Sequence, residues 1–369
     1  MNKNNILFII YDLERGGPEV RLLELARHLS SDINFFICVT SNNLSMLPDF
    51  EKTNAIINVI PVSKPYLEIK KIFEFINIIR DNNINVVNVF DLKGLMIAYI
   101  IKTFSIRNLK IIYNNVNSIQ SFALKNRLFL RLLGHKIDHI LSNSFYSFNQ
   151  IQSVFRNIGG TVVYNGVDLT KYKPDNELRK KIRSLYGFSD HDIVIGTIAN
   201  FRPQKNYEFL IESFKEFSGK NSFAKLLCVG GGPLLDKIKT HTNNLGLNDK
   251  VVFTGYSNDI PALLNAMDIF VLASTHEGLP NGILQAMCAR IPVISTSVGG
   301  CPELIDHMNT GILMGSNNKE EFISAISAIV NDDKFRTLLA NNAKDFVDMK
   351  FGQQDMLANY LKFYQAADK

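Results

Sequence analysis

Three loops of this chain hold residue types that can bind and move a phosphorylated group. The first is Asn200-Phe201-Arg202-Pro203-Gln204-Lys205-Asn206, which follows an apolar run and leads into a helical one. Arg202 and Lys205 stand three residues apart at the end of a strand. There they can clamp a diphosphate, the guanidinium through its bidentate fork and the ammonium as a point charge. Such a pair can neutralise a departing diphosphate without a metal. Read alone, the two cations also fit a solvated surface loop. The second loop runs from Ser274-Thr275-His276-Glu277-Gly278 through Leu279-Pro280-Asn281-Gly282-Ile283-Leu284-Gln285. A carboxylate at a strand end, a glycine-rich turn and a helix opening near Asn281 direct Glu277 and several backbone N–H groups into one pocket, a site for a polyol phosphate. The third is Asp12-Leu13-Glu14-Arg15-Gly16-Gly17-Pro18. Paired glycines at a strand-to-helix turn let backbone N–H groups approach a phosphate, although a plain tight turn also accounts for Gly-Gly-Pro.

The elements that must position these loops are short apolar, β-branched runs alternating with helix-period segments, the pattern of parallel sheets covered by helices. In the first half the runs predict strands at Ile6 to Tyr11, Phe35 to Thr40, Val86 to Phe90, Lys110 to Tyr113, His139 to Ser142 and Thr161 to Tyr164. Leu22, Leu25, Ala26 and Leu29 recur at helical spacing between the first two. The second half restarts at Ile193 to Ala199 and continues at Lys225 to Val229, Val251 to Thr254, Ile269 to Ala273 and Pro292 to Thr296. The expectation is α/β, with two Rossmann-like doubly wound domains facing across a cleft. Residues 1–170 form one domain, 171–352 the other, and the last helix, 353–369, can return to the first. The polar stretch Gly166 to His191 reads as the linker region. Ligands of open parallel sheets bind at the carboxyl ends of the strands, which places the chemistry in the cleft.

The 369 residues suffice for two such domains, and 46% hydrophobic against 20% charged residues is the balance of a folded globular chain. No run reaches the roughly 18 to 20 uncharged apolar residues of a membrane-spanning helix, and the start lacks a secretory signal, so a cytoplasmic protein is expected. Cys38, Cys228, Cys288 and Cys301 stand apart with no Cys-x-x-Cys pair, and no histidines are spaced as metal ligands; a protein-held metal is not expected. Residues 1–170 carry 18 Lys and Arg against 13 Asp and Glu, whereas 171–369 carry 22 of each. The surplus points to an acidic partner of the first half, a phosphate-bearing acceptor or an anionic membrane, or is an incidental imbalance. Leu124 to Ile137 places Lys125, Arg127, Arg131 and Lys136 among bulky apolar residues. This basic amphipathic stretch either docks on an anionic leaflet or packs on its own domain. Nucleic-acid binding has little support, because no stacking motif accompanies the modest surplus.

The run from Glu277 through Gly300 resembles the signature of retaining glycosyltransferases of family four, which have the GT-B fold of two Rossmann-like domains with the donor bound mainly to the second. Four further segments resemble the same family, in its order: the Gly16-Gly17 loop, the turn Asn165-Gly166-Val167-Asp168, the Arg202 and Lys205 pair, and Gly230-Gly231-Gly232-Pro233. The resemblance implies that Arg202 and Lys205 bind the diphosphate of a nucleotide-sugar donor and that Glu277 lies against the transferred sugar. Backbone amides around Gly278 to Ile283, including Asn281 and Gly282, would face the sugar and phosphates, and Tyr256 would lie near the base. It further implies a metal-independent transfer with no cofactor, most commonly from a uridine diphosphate sugar. The acceptor would be a glycan or lipid-linked oligosaccharide of bacterial surface polysaccharide synthesis; if the stretch Leu124 to Ile137 docks on the leaflet, the cytoplasmic enzyme would sit peripherally on the inner membrane face.

Two positions depart from the family pattern. A second Glu usually stands eight positions after the first and holds the ribose hydroxyls; this chain has Gln285. A carboxylate gains about 1.5 to 3 kcal/mol per charge-assisted bond and a neutral amide about 0.5 to 1.5, so the expected ribose contact is weaker. Many members also carry a His after the strand matching Lys110 to Tyr113, where this chain runs Asn114-Asn115-Val116-Asn117-Ser118. Asn115 is the nearest match. An amide is no general base, but it can orient the acceptor or simply satisfy the loop's own backbone. No carboxylate in the matched motifs is placed as a nucleophile, which favours attack from the face the diphosphate leaves. Other functions stay open: a nucleotide-sugar epimerase of the same fold, or an inactive sugar-nucleotide-binding protein. A nicotinamide oxidoreductase is disfavoured because Gly-Gly-Pro replaces Gly-x-Gly-x-x-Gly.

Overall fold

The computed structural model describes residues 3–104, 108–115, 130–131, 133–155 and 158–367. It divides into two units, Met1–Asn165 with Gln354–Lys369, and Gly166–Gln353. The first unit holds β1 (Asn4–Ile10), β2 (Ile33–Val39), β3 (Ile56–Val59), β4 (Val86–Val89), β5 (Lys110–Asn115), β6 (His139–Ser142) and β7 (Gly160–Val162). They pair in parallel in the order β3-β2-β1-β4-β5-β6-β7. Parallel strands are covered on both faces, so the five residues Ile6 to Ile10 of β1 are all apolar and buried. Leu7, Ile9, Val87, Val89, Ile111 and Tyr113 pack on one side under helices Ile69–Asp81 and Leu92–Phe104. Ile6, Phe8, Phe35, Val86 and Ile112 pack on the other.

That second face is closed by helix Gly17–His28 and by the last helix, Gln353–Ala367, which supplies Met356, Leu357, Tyr360 and Tyr364. Tyr364 meets the Phe8 ring edge-on at 5.8 Å, and its hydroxyl accepts a 2.5 Å bond from the Asn88 amide. The buried Arg21 donates to the Tyr360 hydroxyl at 3.0 Å and to the Asn165 side-chain oxygen. A buried Tyr hydroxyl or guanidinium without partners would cost roughly 1 to 3 kcal/mol, so these bonds are what allow polar tips beneath the last helix.

In the second unit β8 (Ile193–Ile198), β9 (Ala224–Val229), β10 (Val251–Gly255), β11 (Ile269–Leu272), β12 (Val293–Thr296) and β13 (Ile312–Met314) form a parallel sheet in the order β10-β9-β8-β11-β12-β13. Both sheets reverse their order once, between β1 and β4 and between β8 and β11. Such a reversal splays the flanking loops apart and leaves a crevice at the carboxyl ends.

Three features differ from the sequence expectation. β3 and β13 are edge strands of four and three residues. β3 is only partly buried and carries Asn58, so its apolar run is too short to stand out. The stretch read as linker contains helix Asn176–Leu185, and its two arginines are structural. Arg179 and the buried Arg183 reach Asp268 at 2.6 and 3.1 Å, while Asp268 accepts the Val194 N–H at 2.7 Å. The division falls at Asn165/Gly166 rather than after 170, because Val167 donates to Phe351 O at 2.8 Å and accepts from the Gln353 N–H at 3.0 Å.

Much of the basic stretch Leu124 to Ile137 lies outside the described residues. Of its described part, Leu130, Leu133 and Ile137 are buried in the first unit's core. Among the described residues no helix is long and apolar enough to cross a membrane.

Candidate functional site

The second unit brings two of the three loops together at its order reversal. β8 delivers Asn200 to Asn206, and β11 delivers Ser274 to Pro280. Lys205 closes a short 3-10 turn, Pro203–Lys205, after which Asn206 takes a left-handed conformation (φ 56°) and starts helix Tyr207–Lys220. Asn tolerates that conformation better than most residues, which explains the sharp exit from the turn. Phe201 is fully buried and stacks on Tyr207 at 3.8 Å, which fixes the base of the loop beside Arg202. The Arg202 side chain itself is exposed.

Lys205 Nζ lies 2.5 Å from Glu277 Oε1, with side-chain exposures of 19% and 9%. Ser274 Oγ donates to the same oxygen at 2.5 Å. The two loops are also stitched through the main chain, since the Thr275 N–H donates to Gln204 O at 2.8 Å. Glu277 is thus held by a cation from one loop and a hydroxyl from its own, and each charge-assisted bond restricts the carboxylate further.

The backbone beneath Glu277 is gripped by the segment after β12. Gly299 has φ +61°, and a Cβ there would lie 1.9 Å from Glu277 O. The Gly300 N–H donates to Gly278 O at 2.9 Å, and Thr296 Oγ1 donates to Ser274 O at 2.6 Å. Cys301 lies buried behind this grip; burial first, then the Glu277 carboxylate, push its thiol up to about 12. The four cysteines are free and buried. Among the described residues, no group of three or more His, Cys, Asp or Glu is placed to hold a metal ion.

Helix Asn281–Cys288 opens directly after this turn. A Cβ on Gly282 would lie 3.0 Å from the Phe270 ring and 3.2 Å from Ile198 O, so glycine lets the helix start close against β8. The Ile283 side chain is buried in the core, which leaves only its backbone for a ligand. Asn281 and Gln285 are half-buried one helical turn apart. Beside them, Gly230 and Gly232 have φ +138° and +141°, and Cβ atoms there would press on Ala199 O at 2.1 Å and on the Phe201 backbone at 2.8 Å. This bend lets the loop after β9 pack on the Arg202 loop. The Tyr256 ring covers Gly231 and stays 56% exposed, a flat aromatic face at the end of β10.

In the first unit, Gly16 caps and Gly17 opens helix Gly17–His28. A Cβ on Gly16 would lie 2.4 Å from a Glu19 carboxylate oxygen, so an anionic side chain already faces this helix start. Asn115 is buried at the end of β5, and its amide N–H donates at 2.9 Å to Ser147 O, in the helix Phe145–Gln152 that follows β6. The sequence reading passed over Ser274; a hydroxyl three residues before a strand-end Glu was the available signal.

The C-terminal half matches the family model described as Glycosyl transferases group 1 over residues 179–346. N-acetyl-alpha-D-glucosaminyl L-malate synthase of Bacillus anthracis is 30% identical over 204 residues, 55% of this chain and 52% of that protein. UDP-Gal:alpha-D-GlcNAc-diphosphoundecaprenol alpha-1,3-galactosyltransferase of Escherichia coli is 31% identical over 191 residues, 50% and 48% of the two chains. The chain thus spans about half the length of these curated relatives. Among solved structures, Anabaena HepE in complex with UDP and glucose superposes with a TM-score of 0.88 at 20% identity, over 98% of this chain and 100% of that one. Residues 179–346, which carry both partners of the Lys205 and Glu277 pair, form a glycosyl transferases group 1 domain, and the chain that contains it has the GT-B fold.

Proposed function

We propose that this chain is a retaining glycosyltransferase of family four. It moves a hexose or N-acetylhexosamine from a nucleoside diphosphate sugar, with uracil as the base, to a glycan or lipid-linked acceptor of bacterial surface polysaccharide. The observation that carries the reading is the enclosed Lys205 and Glu277 pair at the carboxyl ends of β8 and β11. Support also comes from the E. coli relative, named for a UDP-galactose donor and a diphosphoundecaprenol acceptor, and from HepE, determined with UDP and glucose.

In this reading Arg202 and Lys205 bind the diphosphate, and Glu277 accepts hydrogen bonds from the sugar. The backbone at Gly278 to Ile283, Asn281 included, lines the sugar side, and Gln285 faces the ribose. The exposed ring of Tyr256 stacks on the base. The bond from the anomeric carbon to the diphosphate oxygen breaks as the acceptor oxygen approaches from the same face. The acceptor proton passes to the leaving phosphate, whose charge Arg202 and Lys205 stabilise, and the products are the glycoside and the free nucleoside diphosphate. Lys205 exchanges one carboxylate contact for phosphate when the donor enters, so the site needs no large rearrangement to become occupied.

Calorimetric titration with a panel of nucleotide diphosphate sugars tests this. One donor should bind with micromolar affinity or better, Arg202→Ala and Lys205→Ala should weaken it at least about tenfold, and the product linkage read by NMR should keep the donor's anomeric configuration. A panel with no binder removes the reading, and an inverted linkage removes its retaining part.

A further inference from the structure

Ser274 follows β11 and is fully buried, so its hydroxyl is closed off from solvent. A buried hydroxyl is costly unless it is bonded. Among the described residues this one has a single side-chain bond, to Glu277 Oε1 at 2.5 Å. The main chain around it is fixed from two sides. Thr296 Oγ1 donates to Ser274 O at 2.6 Å, and the next N–H along the chain, that of Thr275, donates to Gln204 O at 2.8 Å. The hydroxyl therefore has one place to be and one proton to give, and the proton goes to the carboxylate.

Both donors to Glu277 take the same oxygen. Lys205 Nζ and Ser274 Oγ each lie 2.5 Å from Oε1, and no described residue bonds Oε2. Nor is Oε2 sealed in the interior, as the unpartnered Asp91 Oδ2 is. Two charge-assisted bonds on one oxygen restrict the rotation of the carboxylate and keep the other oxygen available. The two donors differ in what they do when the site fills. Lys205, in the reading above, exchanges its carboxylate contact for the diphosphate. Ser274 is enclosed and pinned through its backbone, so it stays. Once the donor is bound, the hydroxyl is the remaining anchor of Oε1.

We infer that Ser274 is a positioning residue of the donor site: it locks Glu277 so that Oε2 accepts a hydroxyl of the donor's hexose while Lys205 is engaged with the diphosphate. The inference rests on the proposed donor reading and deepens it, because it separates the groups that bind the nucleotide from the group that orients the sugar. In the empty site Lys205 still holds Glu277, so loss of the hydroxyl shows in the complex. There the carboxylate turns, and the sugar it should orient is misplaced, which is costly even for small displacements. Bare nucleoside diphosphate has no sugar to misplace and does not sense the change.

Calorimetry of the full chain with two ligands tests this: bare UDP, and whichever of UDP-glucose, UDP-galactose and their N-acetylated amino forms the wild type binds best. Ser274→Ala should keep UDP affinity within about twofold and weaken the UDP-sugar at least about fivefold. Ser274→Cys, whose thiol is a weak donor, should fall between Ser274→Ala and the wild type. Ser213→Ala is the matched control. Ser213 is also fully buried, in helix Tyr207–Lys220, but its Oγ bonds nothing, so both affinities should stay at their wild-type values. Equal weakening of UDP and UDP-sugar overturns the inference and makes the hydroxyl a strut of its loop. Unchanged affinity for both overturns it as well. A wild type that binds none of these ligands sinks the donor reading and this inference with it, whereas a wild-type binder with an insensitive Ser274→Ala variant sinks the role of Ser274 alone.

Discussion

Lys205 Nζ and Glu277 Oε1 meet at 2.5 Å although 72 positions separate them, each residue coming from the loop after one of the two strands that flank the order reversal of the second sheet. Removing one partner from so enclosed a pair leaves an uncompensated charge, which costs about 3 to 5 kcal/mol when fully buried. Partial access of Lys205 to water reduces that. Lys205→Met should therefore lower unfolding free energy by roughly 1 to 3 kcal/mol and kcat/KM about a hundredfold or more. Adding Glu277→Gln should restore part of the stability in urea titration but none of the turnover. A Lys205→Met enzyme of wild-type activity would remove this pair from the chemistry.

The two charged loops of the second unit were legible in the sequence because their chemistry is contiguous: strand, then charged or glycine-rich loop, then helix. Glu277, Arg202 and Lys205 could be named without coordinates for that reason. The ion pair, the Ser274 hydroxyl and the grip of Gly299 on Glu277 were not legible, since each depends on which strands become neighbours. Parallel order is fixed by crossovers, and local pattern does not encode it. Helix Asn176–Leu185 was hidden by its own charges: Arg183 is buried as a structural cation against Asp268, where a pattern search looks for apolar residues. The bond from the Asn115 amide to Ser147 O was not legible either, because it joins β5 to a helix 32 positions further on.

Gly299→Ala tests the grip directly. The new methyl would lie 1.9 Å from Glu277 O, and the φ of +61° already disfavours any side chain. Backbone must move, and the atom that moves first carries Glu277. The expected loss is about 2 to 4 kcal/mol of stability, with donor affinity falling in calorimetry by at least tenfold at a temperature where the variant is still folded. Gly219→Ala, on the open face of helix Tyr207–Lys220 with nothing within 4 Å, is the matched control and should leave both unchanged or slightly raise stability.

Gln285 sits half-buried one turn beyond Asn281, on the helix that starts beside Glu277. If it holds ribose hydroxyls as a neutral acceptor, Gln285→Ala should weaken nucleoside diphosphate binding about threefold to tenfold. Gln285→Glu should strengthen it by a similar factor, because a carboxylate accepts both hydroxyl bonds with a full charge. Removing the ribose hydroxyls from the ligand should erase the difference between wild type and both variants. Equal affinity of all three proteins for the intact nucleotide would place the ribose elsewhere.

Asp91, in the loop after β4, gives a pH test that is independent of any ligand. Its Oδ1 accepts the Gly94 N–H at 2.8 Å, while Oδ2 is buried with no hydrogen-bond partner. Burial raises its pKa above the ordinary 3.8, and nearby Asp12 adds to this; the Gly94 and Lys93 N–H groups and the Lys93 charge oppose it without cancelling it. A carboxyl with a raised pKa keeps its proton longer in the folded state than in the unfolded chain. Its penalty is therefore absent below the unfolded value, grows as pH rises toward the folded value, and is constant above that. Asp91→Asn keeps an oxygen for the Gly94 N–H and cannot ionise. Its Tm should exceed that of the wild type at neutral pH, and the gap should close as the pH is lowered to about 4. A gap that stays the same at every pH would mean that shape, not charge, separates the two proteins.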